Sequence, residues 1–486
     1  MRYTLEEFVR AFAMQVADEP LRGEQLPRAF FVGGTVRDMV RGEDGVRDID
    51  IEVYGVESVR VQEILEALAG RPVDVFGAAF GVYKISFDEG VIDVALPRRE
   101  SKKGKGHKGF SITGDPHLSF LDALRRRDFT MNAMLRDVLT DELIDPYHGQ
   151  DDLVQGLLRV VDARTFPEDP LRVYRGMQFV ARFGLQVEEN SKKLFARMVR
   201  SGELETLSSE RITEEWRKFL VGAHPVFGLR FLEDTGLITH YPELDALREI
   251  PQDPQWHPEG SVWEHTVRAV EAVSQEALSA HGGVLRLALL LHDVGKAVET
   301  RKMNGKIFDE GHGQAGMSLA RSFFRRLHFS ERDERDVLAC VAHHERLPAL
   351  YKKAKYEEWT EQRAANELRM LWRDVGVERV SFFLAVCEAN ARGRDLPLDD
   401  REYPVRVWAE DLSSRHHLCQ AASAPLLSGQ DVQHIAMRLR VPLPFGKAFG
   451  MLLGRIEAAR DRGEIATRNE AILYAEGLLE RQDDCC

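Results

Sequence analysis

The chain has 486 residues, too many for one ordinary domain, and 44% of them are hydrophobic, so about three packed units are expected from length alone. No apolar run reaches the roughly 18 residues of a membrane span, and the start, MRYTLEEFVRAFAMQV, is acidic and amphipathic rather than basic-then-apolar, unlike a secretory signal. The five cysteines show no metal-pair spacing, which suits a reduced, cytoplasmic setting, and the net charge of −13 argues against a nucleic-acid partner unless cations are concentrated locally.

Residues 27 to 95 alternate β-rich runs (RAFFVGG, RDIDIEVYG, GVYKISFDEGVIDVALP) with the helical pattern SVRVQEILEALAG, which predicts a small α/β unit. In RDIDIEVYG the strand period of two puts Asp48 and Asp50 on one face, ~7 Å apart along the strand. Two carboxylates so placed can share Mg²⁺-type ions, and a two-metal site activates an attacking hydroxyl and neutralises a leaving pyrophosphate. Just upstream, Gly33 and Gly34 supply a turn without side chains, so backbone N–H groups can approach a triphosphate, and Arg37 adds a cation. Asp93 is a further candidate, from a neighbouring strand. LPRRESKKGKGHKGF, residues 96 to 110, then carries six Lys or Arg against one Glu, and RRRDF follows at 125 to 129. Such segments suit a phosphate backbone; the alternative is a solvated surface loop.

From about residue 115 the periodicity is helical. QDPQWHPEG, residues 252 to 260, combines two prolines and a glycine and predicts a boundary. Beyond it, residues 261 to 395 are helical and rich in histidine, and a last helical stretch runs from near 402. The expected fold is α+β multidomain: a small N-terminal α/β domain at 1–145, then all-α domains at 146–250, 251–400 and 401–486. In the histidine series, His265, His292 and Asp293 form an H…HD pattern, and imidazoles with a carboxylate suit Mn²⁺, Ni²⁺ or Co²⁺. His312 and His343 are candidates for a second metal position.

GGTVRD followed by RDID resembles the signature of the nucleotidyltransferase superfamily, in its bacterial tRNA nucleotidyltransferase and poly(A) polymerase branch, class II with an HD domain. RRRDFTMNAM (125–134) is similar to the RRDFT-x-NA element, which implies a role for Arg127, Asp128 and Asn132 in holding ribose and nucleotide. LIDPYHGQDDL (143–153) resembles the DP-x-x-G-x-x-DL segment, PEDPLRVYRGMQFVARFG (167–184) the E-D-x-x-R helix, and SSERITEEWRKFL (208–220) the E-R-I helix. The resemblance gives Asp169, Arg172 and the nearby Arg175 to the nucleotide. Asp169 and Arg172, three apart, are expected on one helical face. One carboxylate acceptor and one guanidinium donor can pair with cytosine or adenine but not with the reversed pattern of guanine or uracil.

The resemblance implies template-independent addition of the 3′-terminal CCA of tRNA from CTP and ATP with Mg²⁺, the helical C-terminal region clamping the tRNA by backbone and shape. Residues 98 to 109 resemble the loop that helps CCA-adding enzymes switch from CTP to ATP and that CC-only enzymes lack. An A-adding enzyme or a poly(A) polymerase shares nearly all these motifs. HD enzymes close their metal site with a distal aspartate, in a segment resembling S-E-A-D-x-R-G-R; here CEANARGRD (387–395) has Asn390 at that place, with Glu388 and Asp395 as nearby carboxylates. A metal phosphohydrolase acting on 2′,3′-cyclic or 2′-phosphorylated RNA ends is the reading from another class, and a retained scaffold is the other role for the HD region. Oligomeric state is not legible.

Overall fold

The computed structural model describes residues 3–23, 25–43, 48–76, 81–102, 110–304, 306–394, 403–419, 426–439, 441, 447–461, 464–465 and 467–480. The chain packs as two units, Met1–His240 and Tyr241–Cys486.

In the first unit a seven-stranded mixed sheet has the order Asp74–Phe76, Val82–Ser86, Val91–Ala95, Asp48–Tyr54, Arg28–Val32, Leu135–Asp137, Leu143–Ile144. Asp48–Tyr54 runs parallel to Val91–Ala95; the other named pairs are antiparallel. Alternation along Asp48–Tyr54 gives the sheet two characters. Ile49, Ile51 and Val53 point into a core shared with Phe8 and Phe12 of the helix Leu5–Ala17 and Ile64 and Leu65 of the helix Ser58–Ala69. A Thr4–Glu7 capping box starts the first of these helices. Tyr54 belongs to a second core with Phe30, Leu124 and Leu135, and Asp48, Asp50 and Glu52 share its alternation along the strand. The helical pattern expected from residue 115 is interrupted by the last two strands of the sheet and by the short parallel pair Leu157–Leu158 and Gln186–Val187; beyond these the unit is mainly helical, and Leu171–Phe183 is the central helix, packed on Ser209–Leu220 and Pro225–Thr235.

Among the described residues the second unit is helical apart from a small hairpin, Arg301–Met303 with Lys306–Phe308, and a single bridge between Pro251 and Ser261. Its central helix, Val284–Leu291, is apolar except for Arg286, and residues Leu285 to Leu291 are buried; it delivers His292 and Asp293 at its C-terminal end. QDPQWHPEG lies in the second unit, where the Lys296 ammonium donates to Gln252 and Glu259 binds His265. Among the described residues, no helix is long and apolar enough to cross a membrane.

Candidate active site and metal cluster

The first unit holds a cleft of about 670 Å³. Its floor is the polar face of Asp48–Tyr54. Register sets Asp50 directly beside Asp93 on the parallel neighbour, and both line the cleft. Asp48, one step earlier on the same face, is exposed at its edge. One oxygen of Asp93, Oδ1, is buried without a hydrogen bond, 3.6 Å from the Lys84 ammonium. Burial, reinforced by the neighbouring Asp93 and Asp48 and opposed by Arg127, pushes the Asp50 carboxyl above its ordinary range. A crowded set of carboxylates with an orphaned buried oxygen fits a divalent cation.

The glycine turn is the start of the helix Gly33–Val40. Gly33 has φ +57°, and a Cβ there would come within 3.1 Å of the Arg127 guanidinium, so both backbone and space require glycine. Thr35 ties this helix to the metal strand: its hydroxyl accepts from the Asp50 N–H at 2.9 Å.

Beneath the cleft runs a buried network. Asp128 accepts from Arg175 at 2.7 Å, Asn132 at 3.0 Å and the Phe129 N–H at 2.8 Å; burial opposes its ionisation, but these partners hold its carboxyl below the usual range. Arg37 donates to Asn132 Oδ1 at 2.9 Å and to Asp38, and stacks over Phe183 at 4.7 Å. Arg37 lines the cleft with three of its five N–H donors held by Asn132 and Asp38. Arg127 does face the site, donating to Glu52 at 3.3 Å. Glu52 escaped the sequence reading, although it is the next residue on the face of Asp48 and Asp50.

Asp169 and Arg172 both line the cleft, but not as a pair on one helical face. The helix begins at Leu171 after Pro170, so Asp169 stands in the extended segment before it. Its carboxylate accepts from Arg211 at 3.3 Å, while Arg172 donates to the carbonyls of Thr165, Phe166 and Arg126 at 3.1, 3.4 and 2.7 Å. The proline ends the helical register one residue too soon for the expected i,i+3 geometry. Arg211, from the E-R-I segment, is thus a cleft residue the sequence reading did not single out. Residues 98–102 and 110–114 form a two-stranded hairpin; 103 to 109, with the glycines at 104, 106 and 109 of the expected loop, lie outside the described residues.

The histidine series forms a second cluster, in the other unit. His292, His312 and His344 each direct Nδ1 at a main-chain carbonyl, Leu289, Asp309 and Cys340 respectively, at 2.7, 2.8 and 3.2 Å. Nε2 of each is thereby turned to Asp293, at 3.2, 3.1 and 3.3 Å. The expected second-position histidine is corrected: His344 joins the cluster, whereas His343 sits 3.2 Å from Arg346. Both are on neighbouring helix positions, 100° apart, and only one can face inward. His265 Nδ1 lies 2.8 Å from Glu259, and its Nε2 lies 2.7 Å from Asn390 Oδ1. Glu259, missed from sequence, also binds His257; burial opposes it, but the two imidazoles hold its carboxyl down to about 2.

Lys296 is buried against Asp293 at 2.8 Å. Gly295 just before it is indispensable, since a Cβ there would fall 1.9 Å from the His312 carbonyl. His292 Nε2 and Asp293 Oδ1 are buried without hydrogen bonds, a donor set suited to a transition metal. Of the alternative distal carboxylates, Glu388 is engaged by Arg392 and Arg406, and Asp395 lies outside the described residues.

Three family models match the chain: the poly A polymerase head domain over residues 29–159, the probable RNA and SrmB-binding site of polymerase A over 184–248, and the HD domain over 262–370. A multifunctional CCA protein of Xanthomonas campestris is 35% identical over 84% of this chain and 94% of its own length. Those of Vibrio cholerae and Alkalilimnicola ehrlichii are 34% and 36% identical over 78% of this chain, and 89% and 86% of theirs. Among solved structures, the fold is similar to a Bacillus stearothermophilus CCA-adding enzyme in complex with CTP (TM-score 0.65, 22% identity, 100% of both chains). It is also similar to a Thermotoga maritima CCA-adding enzyme complexed with tRNA (TM-score 0.53, 20% identity, 98% of this chain and 95% of that one). With the ordered motifs gathered at one cleft and this identity sustained along nearly the full length of its relatives, the chain belongs to the family of the multifunctional CCA proteins.

Proposed function

We propose that this protein is a tRNA nucleotidyltransferase that builds or repairs the 3′-terminal CCA of tRNA from CTP and ATP. The observation that carries the reading is the single cleft that gathers Asp50 and Asp93, the Gly33–Gly34 turn, the Arg127–Asp128–Asn132 element and Asp169 with Arg172. Asp48 and Asp50, with Asp93, would hold Mg²⁺, which when bound supplies the charge that activates the RNA 3′-hydroxyl and steadies the departing pyrophosphate. The chain's own residues do the rest. Backbone N–H groups of the Gly33 turn and the Arg127 guanidinium receive phosphate oxygens. Asp128, fixed by Arg175, and Asn132, fixed by Arg37, set the wall of the nucleotide site. Asp169 is held by Arg211 as an acceptor for the exocyclic amine shared by cytosine and adenine, and the Nε side of Arg172 supplies the donor.

Asp169→Ala is accordingly expected to cut the preference for CTP and ATP over UTP and GTP by roughly tenfold to a hundredfold, read from single-nucleotide incorporation, because a matched base loses its acceptor. Unchanged selectivity would remove Asp169 from base reading.

The test of the whole reading uses tRNA transcripts ending before CCA, after C and after CC, each with CTP, ATP or both. Extension of all three to complete CCA is the expected result. Extension of the CC-ended transcript alone, with ATP alone, makes the protein an A-adding enzyme, and long A-tails on any RNA make it a poly(A) polymerase.

The second unit supports an additional metal-binding role. His265, His292, Asp293, His312 and His344 would hold Ni²⁺, Mn²⁺ or Co²⁺, which when bound supplies an activated water for phosphoester hydrolysis. Asn390 leaves this set one negative charge short. Asn390→Asp is expected to tighten Ni²⁺ binding by about tenfold in calorimetric titration of the purified protein; an unchanged affinity would mean that Asn390 does not face the ion.

A further inference from the structure

The four imidazoles of the metal cluster are not held alike. His292, His312 and His344 rest Nδ1 on main-chain carbonyls, whereas His265 Nδ1 lies 2.8 Å from a carboxylate oxygen of Glu259. The Glu259 side chain is fully buried, and the same oxygen meets His257 Nδ1 at 2.8 Å. An ionised carboxylate only accepts, so His265 carries a proton on Nδ1. The neutral ring then presents the Nε2 lone pair to the interior. There the Asn390 side-chain oxygen lies 2.7 Å away, and His292 and Asp293 complete a group close enough to share one ion. A carboxylate behind a ligating imidazole fixes the ring and draws on its proton more strongly than a carbonyl does, which makes Nε2 the better electron donor.

The cluster needs such a donor. Its carboxylate Asp293 already shares its charge with the buried Lys296 ammonium at 2.8 Å, and Asn390 brings none. Other carboxylates reach the edge of the cluster but are differently placed. Glu345, 3.6 Å from His312 Nδ1, and Asp309, 3.5 Å from Lys296, are open to water and salt, which screen their charge. Glu388 is engaged by Arg392 and Arg406. Of these carboxylates Glu259 alone is both out of water and in contact with an imidazole of the set, where a charge acts at low dielectric.

We propose that Glu259 is a positioning residue that supplies, through His265, the negative charge the metal cluster lacks at Asn390. The inference rests on the metal-binding role given to the second unit above. The experiment measures Ni²⁺ affinity by competition with a chelator for the wild type, Glu259→Gln, Asn390→Asp and the double variant, beside the thermal midpoint of each metal-free protein.

Glu259→Gln keeps the shape and an acceptor oxygen for His265 and removes the charge, so it is expected to weaken Ni²⁺ binding about tenfold to a hundredfold. In the Asn390→Asp background the same change should cost about tenfold less, because the charge is then supplied directly. Equal losses in both backgrounds make Glu259 a structural support and overturn the proposal, as does an unaltered affinity in Glu259→Gln. Where Glu259→Gln does not fold without metal, nitrogen NMR of the metal-free wild type decides. The His265 ring is expected to carry its proton on Nδ1 and to keep it when Zn²⁺ is added, and a proton on Nε2 alone overturns the proposal. A wild type that binds no Ni²⁺ overturns the metal-binding reading and this inference with it.

Discussion

Asp50→Asn is expected to lower nucleotide addition by on the order of 10³-fold or more while leaving the protein as stable as the wild type or slightly more so. The two effects have one cause. Asp50 lies beside Asp93 and close to Asp48, and its carboxyl is raised above the ordinary range by burial and by those neighbours, against the pull of Arg127 and Arg37. A carboxyl with a raised pKa in the folded state is destabilising wherever it is ionised. The deficit is absent below the ordinary carboxylate range and fully present once pH exceeds the folded value, so at neutral pH the native state carries it. The amide has the same shape, can keep the Asp50 N–H bonded to Thr35, and removes the repulsion. It also removes the charge that a divalent cation needs. Because the carboxylate opens onto the water of the cleft, the gain in thermal midpoint should be small. Single-turnover addition of CMP beside a thermal melt checks both parts. Addition within about tenfold of wild type would remove Asp50 from the chemistry, and a marked fall in melting temperature would mean that the ionised carboxylate is structural.

What could be read in advance follows the range of the interactions. The strand period alone placed Asp48 and Asp50 on one face, because side-chain alternation is a local property of extended backbone. The same rule reaches Glu52, but a third acidic residue carries no signal until Arg127, 75 residues away, is seen to bind it. Asp169 and Arg172 were legible as cleft residues through the motif, and their mutual geometry was not. Pro170 interrupts the helix between them, and the partner of each, Arg211 or a main-chain carbonyl, is set by packing. His343 and His344 show the limit in its simplest form, since adjacent histidines on a helix are distinguished only by which way the helix is turned against Val284–Leu291. QDPQWHPEG was legible as an irregular segment, and its contacts were not. Proline and glycine mark where regular structure stops, and an irregular segment held by Lys296 and His265 looks in sequence like one held by nothing.

Asp293→Ala is expected to destabilise the second unit by about 3–5 kcal/mol, more than the loss of any one hydrogen bond, because it strands a buried ammonium. Lys296 is 5% exposed, and although burial works against its charge, Asp293 and Asp309 together raise its pKa. With Asp293 gone, Lys296 retains Gln252 Oε1 at 2.9 Å and Asp309 at 3.5 Å, a neutral acceptor and a long ion pair. If the stranded charge is the cause, adding Lys296→Met to Asp293→Ala should recover about half of the loss or more; a double variant no more stable than the single would place the cost in the cavity instead.

The same site sets the pH response. Burial holds His292 and His344 below the ordinary imidazole range, so they are neutral when folded, and their contribution is lost as pH falls below about 6.5, where the unfolded chain takes up protons. His312 is the opposite case: burial opposes its charge, but Asp293 raises it to about 9, so its contribution is full below about 6.5 and is lost as pH rises through 9. Wild-type stability should therefore be greatest at about pH 6.5 and fall on both sides of it. Asp293→Ala should flatten the alkaline limb in particular, since the carboxylate that lifts His312 is the group removed. Melting midpoints of the metal-stripped protein at about pH 5, 7.5 and 10 decide it, and an alkaline limb unchanged in the variant would show that His312 takes its charge from Glu345, 3.6 Å away, rather than from Asp293.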